Sequence, residues 1–433
     1  MKVARRSVLA GFAAALALPR GAVAAEGAGA AGAVHDWFRL ILELVRHTPT
    51  LTPPVSSRAF AYLGVALWEA LQPPGTQSMA GQLTALTPPP SRPAGTDDAV
   101  VADAVLGAMV AALFQNTGPT GQRAMSAMTR RLGERVAAGL APAVVEASAA
   151  HGRAVAAHIL AWSQDDGGAA IVNMGFPETY APAELPEDWV PTSLVRQQQT
   201  PLLPEWGRNR PFAMASGDLC GLPPPPAYSE DPGSVFHAEA MEVYEVSRSL
   251  TDEQKRIARF WSDDPMLTPT PPGHWMFIAM SVLEAEGATA ARRAEVLMLL
   301  GVAMADAFIA CWRDKYAYNL LRPVTYIRRH IDKAWEPLLI TPPFPEYPSG
   351  HSTQSGAAQA VLTHLYGETF AFTDTTHEDE GMGARSFPSF RAAAEEAGIS
   401  RLYGGIHFRS AIDQGLAQGI CVAEATLRLE VRA

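Results

Sequence analysis

The stretch 292–323, RRAEVLMLLGVAMADAFIACWRDKYAYNLLRP, decides how the chain folds. Its apolar residues recur at three- and four-residue steps and wrap most of the way round, the pattern of a helix buried on nearly every face. Asp306 interrupts the run, and a carboxylate there would be costly inside a bilayer, so a core helix is the better reading than a membrane span. The same spacing returns at 57–72, 99–116, 143–164 and 410–431, while strand-like alternation is scarce. An all-α fold follows. Long Pro-rich connections, notably LTPPPSRPAG at 86–95 and CGLPPPPAYSEDPGS at 220–234, read as ordered loops wrapped over a helical body. The loop-rich stretch near 165–230 separates an N-terminal helical half, 25–230, from a C-terminal half, 231–433. GVALWEA at 64–70 echoes GVAMADA at 301–307, as two related four-helix-bundle-like halves would.

Composition narrows the function. A net charge of -10 argues against a nucleic-acid surface, so a basic cluster within this chain needs a local reason. Residues 1–24 carry a basic start with Arg5-Arg6, a short apolar run and the small residues Ala22-Val23-Ala24, an export signal of either the general secretory or the twin-arginine kind. That apolar run is too short to span a bilayer, and the mature chain is expected in the periplasm or outside the cell. The three cysteines, Cys220, Cys311 and Cys421, match no metal-binding spacing and allow at most one disulfide.

Candidate anion-binding groups occur in three places. Lys315 and Arg322 are seven residues apart, which on a continuous helix sets both cations on one face, and Pro323 is expected to end that helix. In TPPFPEYPSGHSTQSG, 341–356, Ser349 is a plausible N-cap, so the free N–H groups of a helix starting at Gly350 form an anion nest with His351 at its rim. In SRLYGGIHFRSAIDQG, 400–415, Gly404-Gly405 breaks a helix so that Arg401 and His407 can both turn inward, and Ser410 with Asp413 reads as the N-cap signature of the last helix. Each segment alone has an ordinary explanation: a solvated basic face, a capping turn, a core histidine. Together they describe a receptor for a small oxyanion.

In order and internal spacing these segments resemble the three signatures shared by type 2 phosphatidic acid phosphatases, class A bacterial acid phosphatases and vanadium-dependent haloperoxidases. The likeness covers roughly the last third of the chain, and FWSDDP with TPTPPGHW, within 260–275, is similar to the bacterial haloperoxidase branch. The resemblance implies that His407 ligates vanadium and that Lys315, Arg322, Ser349, Gly350 and Arg401 hold the oxygens of vanadate, with phosphate or sulfate able to take its place. It implies an acid–base role for His351, peroxide polarisation by Lys315, and pairing of Asp264, or else Asp263, with Arg401. Trp312 and Phe344 match an aromatic pair that borders the halide in chloride-oxidising relatives. Family members usually carry an Asp four residues after the final histidine; here that position is Ala411, which leaves His407 without an evident acid and favours vanadate chemistry over a phosphohistidine. The substrates implied are hydrogen peroxide and halide, or phosphate esters if the chain is a phosphatase; a binding protein for oxyanions is the non-enzymatic alternative.

Overall fold

A computed structural model describes residues 29–180 and 185–432 of the chain, and the segment read as an export signal lies outside them. The long helices of the first half are α1 (Ala30–Arg46), α2 (Pro53–Leu71), α3 (Asp98–Leu113), α4 (Pro119–Ala137) and α5 (Pro142–Ser163). Those of the second half are α6 (Val235–Arg248), α7 (Asp252–Phe260), α8 (Thr270–Ala285), α9 (Ala290–Tyr318), α10 (Pro323–His330), α11 (Gly350–Tyr366), α12 (Phe390–Tyr403) and α13 (Arg409–Leu427). The one sheet among the described residues is a ribbon, β1 (Phe372–Asp374) antiparallel to β2 (Arg385–Phe387). The fold is all-α.

Helix starts follow local chemistry. Asp97 accepts N–H bonds from Ala99 and Val100 ahead of α3, Thr251 and Gln254 form a capping box on α7, and Pro occupies the first turn of α2, α4, α5 and α10. Two helix boundaries differ from the sequence expectation. Asn319 closes α9 in the left-handed conformation, so Pro323 begins α10 rather than ending the earlier helix, and Arg322 is its N-cap residue. Ser410 lies inside α13, whose N-cap is Phe408; its backbone N–H and hydroxyl both donate to the Glu239 carboxylate of α6, which takes over the capping role assigned to Ser410 and Asp413.

The apolar α9, 29 residues long, is buried by the rest of the protein and serves as the central strut. Its closest neighbour is α2, and the sequence echo lies at their contact. A Cβ on Gly64 would sit 2.6 Å from Met298 Cα, and a Cβ on Gly301 would sit 2.8 Å from the Phe60 carbonyl oxygen, so each glycine admits the other helix's backbone. The equivalent acids act alike: Glu69 accepts from Met79 N, and Asp306 accepts from the backbone N–H groups of Phe212, Ala213 and Met214. One apolar core runs from Ala33 to Ala425 and joins the two halves.

Asp306 has a measurable consequence. Burial pushes its carboxyl up to about 6 despite the three N–H bonds, so the folded chain binds its proton more tightly than the unfolded chain. Its contribution therefore favours folding in acid and is lost as pH rises through about 6. Relative to Asp306→Asn, the wild-type chain is expected to lose about 1–1.5 kcal/mol of stability between about pH 5 and pH 7, read from urea midpoints at both.

The second close contact, α11 on α13, sets the site. A Cβ on Gly419 would lie 1.9 Å from the Thr353 carbonyl oxygen, and one on Gly415 would lie 2.9 Å from the Ser349 carbonyl oxygen. Gly419→Ala must push these helices apart; a destabilisation of about 3 kcal/mol, visible as a lowered melting temperature, is expected. The Cys220–Cys421 disulfide ties the Pro-rich connection to α13, while Cys311 is free and buried.

Candidate oxyanion site

Three distant segments converge where α9 ends and α11 begins. Lys315, in the last turn of α9, is wholly buried, and its ammonium donates to the carbonyl oxygens of Pro345 and Glu346, both at 2.9 Å, and of Pro348. All three ammonium donors are thus engaged by the 345–348 backbone, so in this geometry Lys315 shapes the wall of the site. Burial lowers its pKa to about 7.

Arg322 is also wholly buried. Its Nε donates to the Phe344 carbonyl at 2.9 Å, and Nη1 donates to the Ile406 carbonyl at 2.9 Å and to His407 Nε2 at 3.0 Å. A guanidinium only donates, so Nε2 of His407 carries the lone pair and the ring proton sits on Nδ1. That Nδ1–H donates to Glu346 Oε1 at 2.8 Å, an oxygen that also accepts the Phe408 N–H at 2.9 Å.

Glu346 is therefore the acid beside His407. Sequence reasoning missed it and, finding Ala411 where an Asp was expected, left the histidine without one. The signal available was modest: Glu346 is the lone acid in 341–356, within an otherwise apolar and Pro-rich run. Burial pushes its carboxyl up to about 8 against the pull of Arg322 and Lys315. His407 is driven well below the usual imidazole value by burial and then by the same cations, which keeps the ring neutral.

Arg401 stands near the end of α12, and the expected glycine turn, where Gly405 adopts φ +75°, separates it from His407. Its Nη1 lies 3.0 Å from His351 Nε2 and its Nε donates to Ser400 Oγ at 3.2 Å. His351 opens α11 beside Gly350; burial and the neighbouring guanidinium hold its pKa well below the ordinary value, again favouring the neutral ring. Ser349 is the N-cap of α11, its hydroxyl oxygen accepting the Ser352 N–H at 3.3 Å.

The two aspartates separate. Asp263, in the left-handed conformation at φ +48°, is buried with Oδ2 3.7 Å from His351 Nε2, whereas Asp264 is half-buried. No ion pair within 4.0 Å joins Arg401 to either acid among the described residues, so the pairing expected of Asp264 is not present. Asp264 acts on Arg401 only through its charge, and burial pushes its own carboxyl upward. Trp312 and Phe344 do meet, with ring centroids 5.1 Å apart, and the Lys315 ammonium lies 5.2 Å from the Phe344 centroid. Trp312 is fixed by donation from its indole N–H to the Leu202 carbonyl at 3.1 Å.

The charge balance asks for an anion. Burial lowers the pKa of Arg322 and of Arg401 to about 10, and Nη2 of each guanidinium is buried without a hydrogen-bond partner. Orphaned guanidinium donors are costly unless an oxyanion meets them. Together with the N–H groups opening α11 and the Nε2 lone pair of His407, these donors fit vanadate or phosphate.

A family model described as the VCPO second helical-bundle domain matches residues 295–432. Vanadium chloroperoxidase from Curvularia inaequalis is 32% identical over 88 residues, a stretch that spans only 14% of that protein's length and 17% of this chain. The crystal structure of a bacterial vanadium-dependent chloroperoxidase shares the fold, with a TM-score of 0.67 and 17% identity over 89% of this chain and 94% of its own. A bacterial vanadium-dependent iodoperoxidase of known structure aligns with a TM-score of 0.85, over 93% of this chain and 97% of its own. At 35% identity across that span, and with the site geometry above, the chain belongs to the vanadium-dependent haloperoxidase family.

Proposed function

We propose that this enzyme uses vanadate to oxidise halide with hydrogen peroxide, forming hypohalous acid and water with uptake of one proton, and that iodide is among its substrates. The observation that carries the reading is the pair of unpartnered guanidinium nitrogens on Arg322 and Arg401 beside a histidine whose Nδ1–H bond to Glu346 keeps the lone pair on Nε2, where it meets only Arg322 Nη1. Likeness to the iodoperoxidase supports the choice of halide. His407 Nε2 would ligate the metal; Arg322, Arg401, Ser349 and the Gly350 N–H would hold its oxygens. Bound vanadate supplies a Lewis acid for peroxide activation.

The residues of the chain do the rest. His351, neutral and partly open to solvent, can take a proton from peroxide and return it to a leaving oxygen. Lys315 holds the 345–348 backbone, and with it Glu346 and the start of α11, in register with α9. Trp312 and Phe344 form an apolar wall on which a weakly hydrated halide can rest.

A second reading keeps specific support. Glu346 supplies the acid that Ala411 lacks, so the sequence argument against a phosphohistidine loses its force: Nε2 of His407 is equally placed to attack phosphorus. The test is triiodide formation from iodide and peroxide by the vanadate-loaded protein, alongside hydrolysis of an aryl phosphate by the vanadate-free protein. Vanadate-dependent iodide oxidation with slow ester hydrolysis is expected. Brisk ester turnover without halide oxidation would make the protein a phosphatase, and oxyanion binding with neither activity would make it a binding protein.

A further inference from the structure

Next to His351, whose Nε2 lies 3.7 Å from Asp263 Oδ2, five ionisable residues from three parts of the fold form a second, largely buried cluster. Asp263 lies in the α7–α8 connection, His274 in the second turn of α8, Asp374 at the end of β1, and His377 and Glu380 in the loop that follows. His274 Nδ1 is 2.9 Å from Asp263 Oδ1, and its Nε2 is 2.7 Å from Asp374 Oδ2. His377 Nε2 is 3.3 Å from the same Oδ1, and its Nδ1 is 2.5 Å from Glu380 Oε2, whose other oxygen meets Arg46 at 3.1 Å.

The geometry points to a binding site for one first-row divalent cation of the zinc type, held by His274 Nδ1, His377 Nε2 and Asp263 Oδ1. These three donor atoms already lie within 4.8 Å of one another. Around a tetrahedral ion with bonds of ~2.1 Å the ligand atoms stand about 3.4 Å apart, so modest side-chain movements admit it. The surroundings are those of a metal site. Each histidine has its remote nitrogen clamped by a carboxylate, Asp374 or Glu380, the arrangement that fixes the tautomer and raises the basicity of a metal-bound imidazole. The rings themselves are walled in: Trp261 stacks on His274 at 4.4 Å, and Phe260 stands edge-on to His274 at 5.5 Å and to His377 at 5.1 Å. Asp263 is presented by a left-handed backbone that a non-glycine residue adopts only under constraint.

Charge favours the exchange. Every ring nitrogen of the two histidines faces a carboxylate, Asp263, Asp374 or Glu380, and Arg46 meets the outer oxygen of Glu380. Their ring centroids are only 4.8 Å apart, and both N–H groups converge on a single oxygen. One divalent ion taking the place of the two hydrogen bonds at that oxygen sets its charge where the carboxylates gather. The adjoining oxyanion cage, lined by Arg322, Arg401 and Lys315, repels the same cation, so the two sites sort cation from anion by sign.

The test uses full-length protein stripped with chelator and titrated with zinc or cobalt(II). One ion per chain by elemental analysis, a raised melting temperature with zinc, and visible absorption bands with cobalt(II) that zinc abolishes are expected. His377→Gln and His274→Asn should each lose the one-per-chain ion, and should that substitution prevent folding, the wild-type cobalt spectrum and its competition by zinc decide. No uptake and no thermal shift in the wild-type chain, or uptake undiminished in a folded variant, would overturn the site.

Discussion

Arg322→Lys is expected to lower the rate of halide oxidation by about 10²- to 10³-fold, even with vanadate in excess. The guanidinium of Arg322 serves four directions at once: the Phe344 carbonyl, the Ile406 carbonyl, His407 Nε2 and, through the unpartnered Nη2, the oxyanion. An ammonium on a flexible stem offers three donors from one point and cannot reproduce a planar fork. Lysine can still reach one backbone carbonyl, so the fold should survive while the 344–346 and 406–407 backbones lose the tie that holds them together. Steady-state oxidation of iodide, with retention of phosphate as a separate measure of the cage, checks the expectation. A variant that keeps both within about threefold of wild type would show that Arg322 braces loops without binding the anion.

How much of this was legible beforehand depends on how local the signal was. The helical period of 292–323 announced the central strut, because a helix buried all round is apolar over most of its length, and Asp306, the one charged residue between Val296 and Trp312, marked it as something other than a membrane span. The cage was legible because each segment carries its own local chemistry: Ser349 before Gly350, the paired glycines between Arg401 and His407, and two cations near a proline. What misled was continuity. Spacing alone treated Lys315 and Arg322 as one helix face, yet Asn319 ends α9 and the cations meet across a turn. Ser410 looked like a cap because its type and its spacing to Asp413 fit, but the docking of Glu239 from α6 satisfies that helix end instead. The buried cluster at Asp263 was illegible for a deeper reason. Its members are scattered over 263–380, and no periodicity links a connection, a helix start and a ribbon that become neighbours only after folding.

Glu346→Ala tests the clearest departure of this chain from its family's pattern and is expected to weaken vanadate binding by about 10- to 100-fold, the usual cost of losing an acid behind a metal-bound histidine. Oε1 accepts two N–H bonds, one from the His407 ring and one from the Phe408 backbone, so it sets both the tautomer of the ring and the path of the chain that carries it. Without it, Nδ1 loses its acceptor, the proton is free to move to Nε2, and the lone pair the metal needs is no longer assured. Glu346→Gln keeps a carbonyl oxygen as acceptor but not a group that can ionise, and should fall between wild type and Ala. A purely structural role would lower the melting temperature of both variants alike without touching the ring. The deciding readout is therefore the ¹⁵N chemical shifts of the His407 imidazole, which should report Nδ1–H in wild type and Gln but a tautomer mixture in Ala. Wild-type vanadate affinity in Glu346→Ala would mean that the Arg322 bond to Nε2 alone orients this histidine, and that the acid is dispensable here.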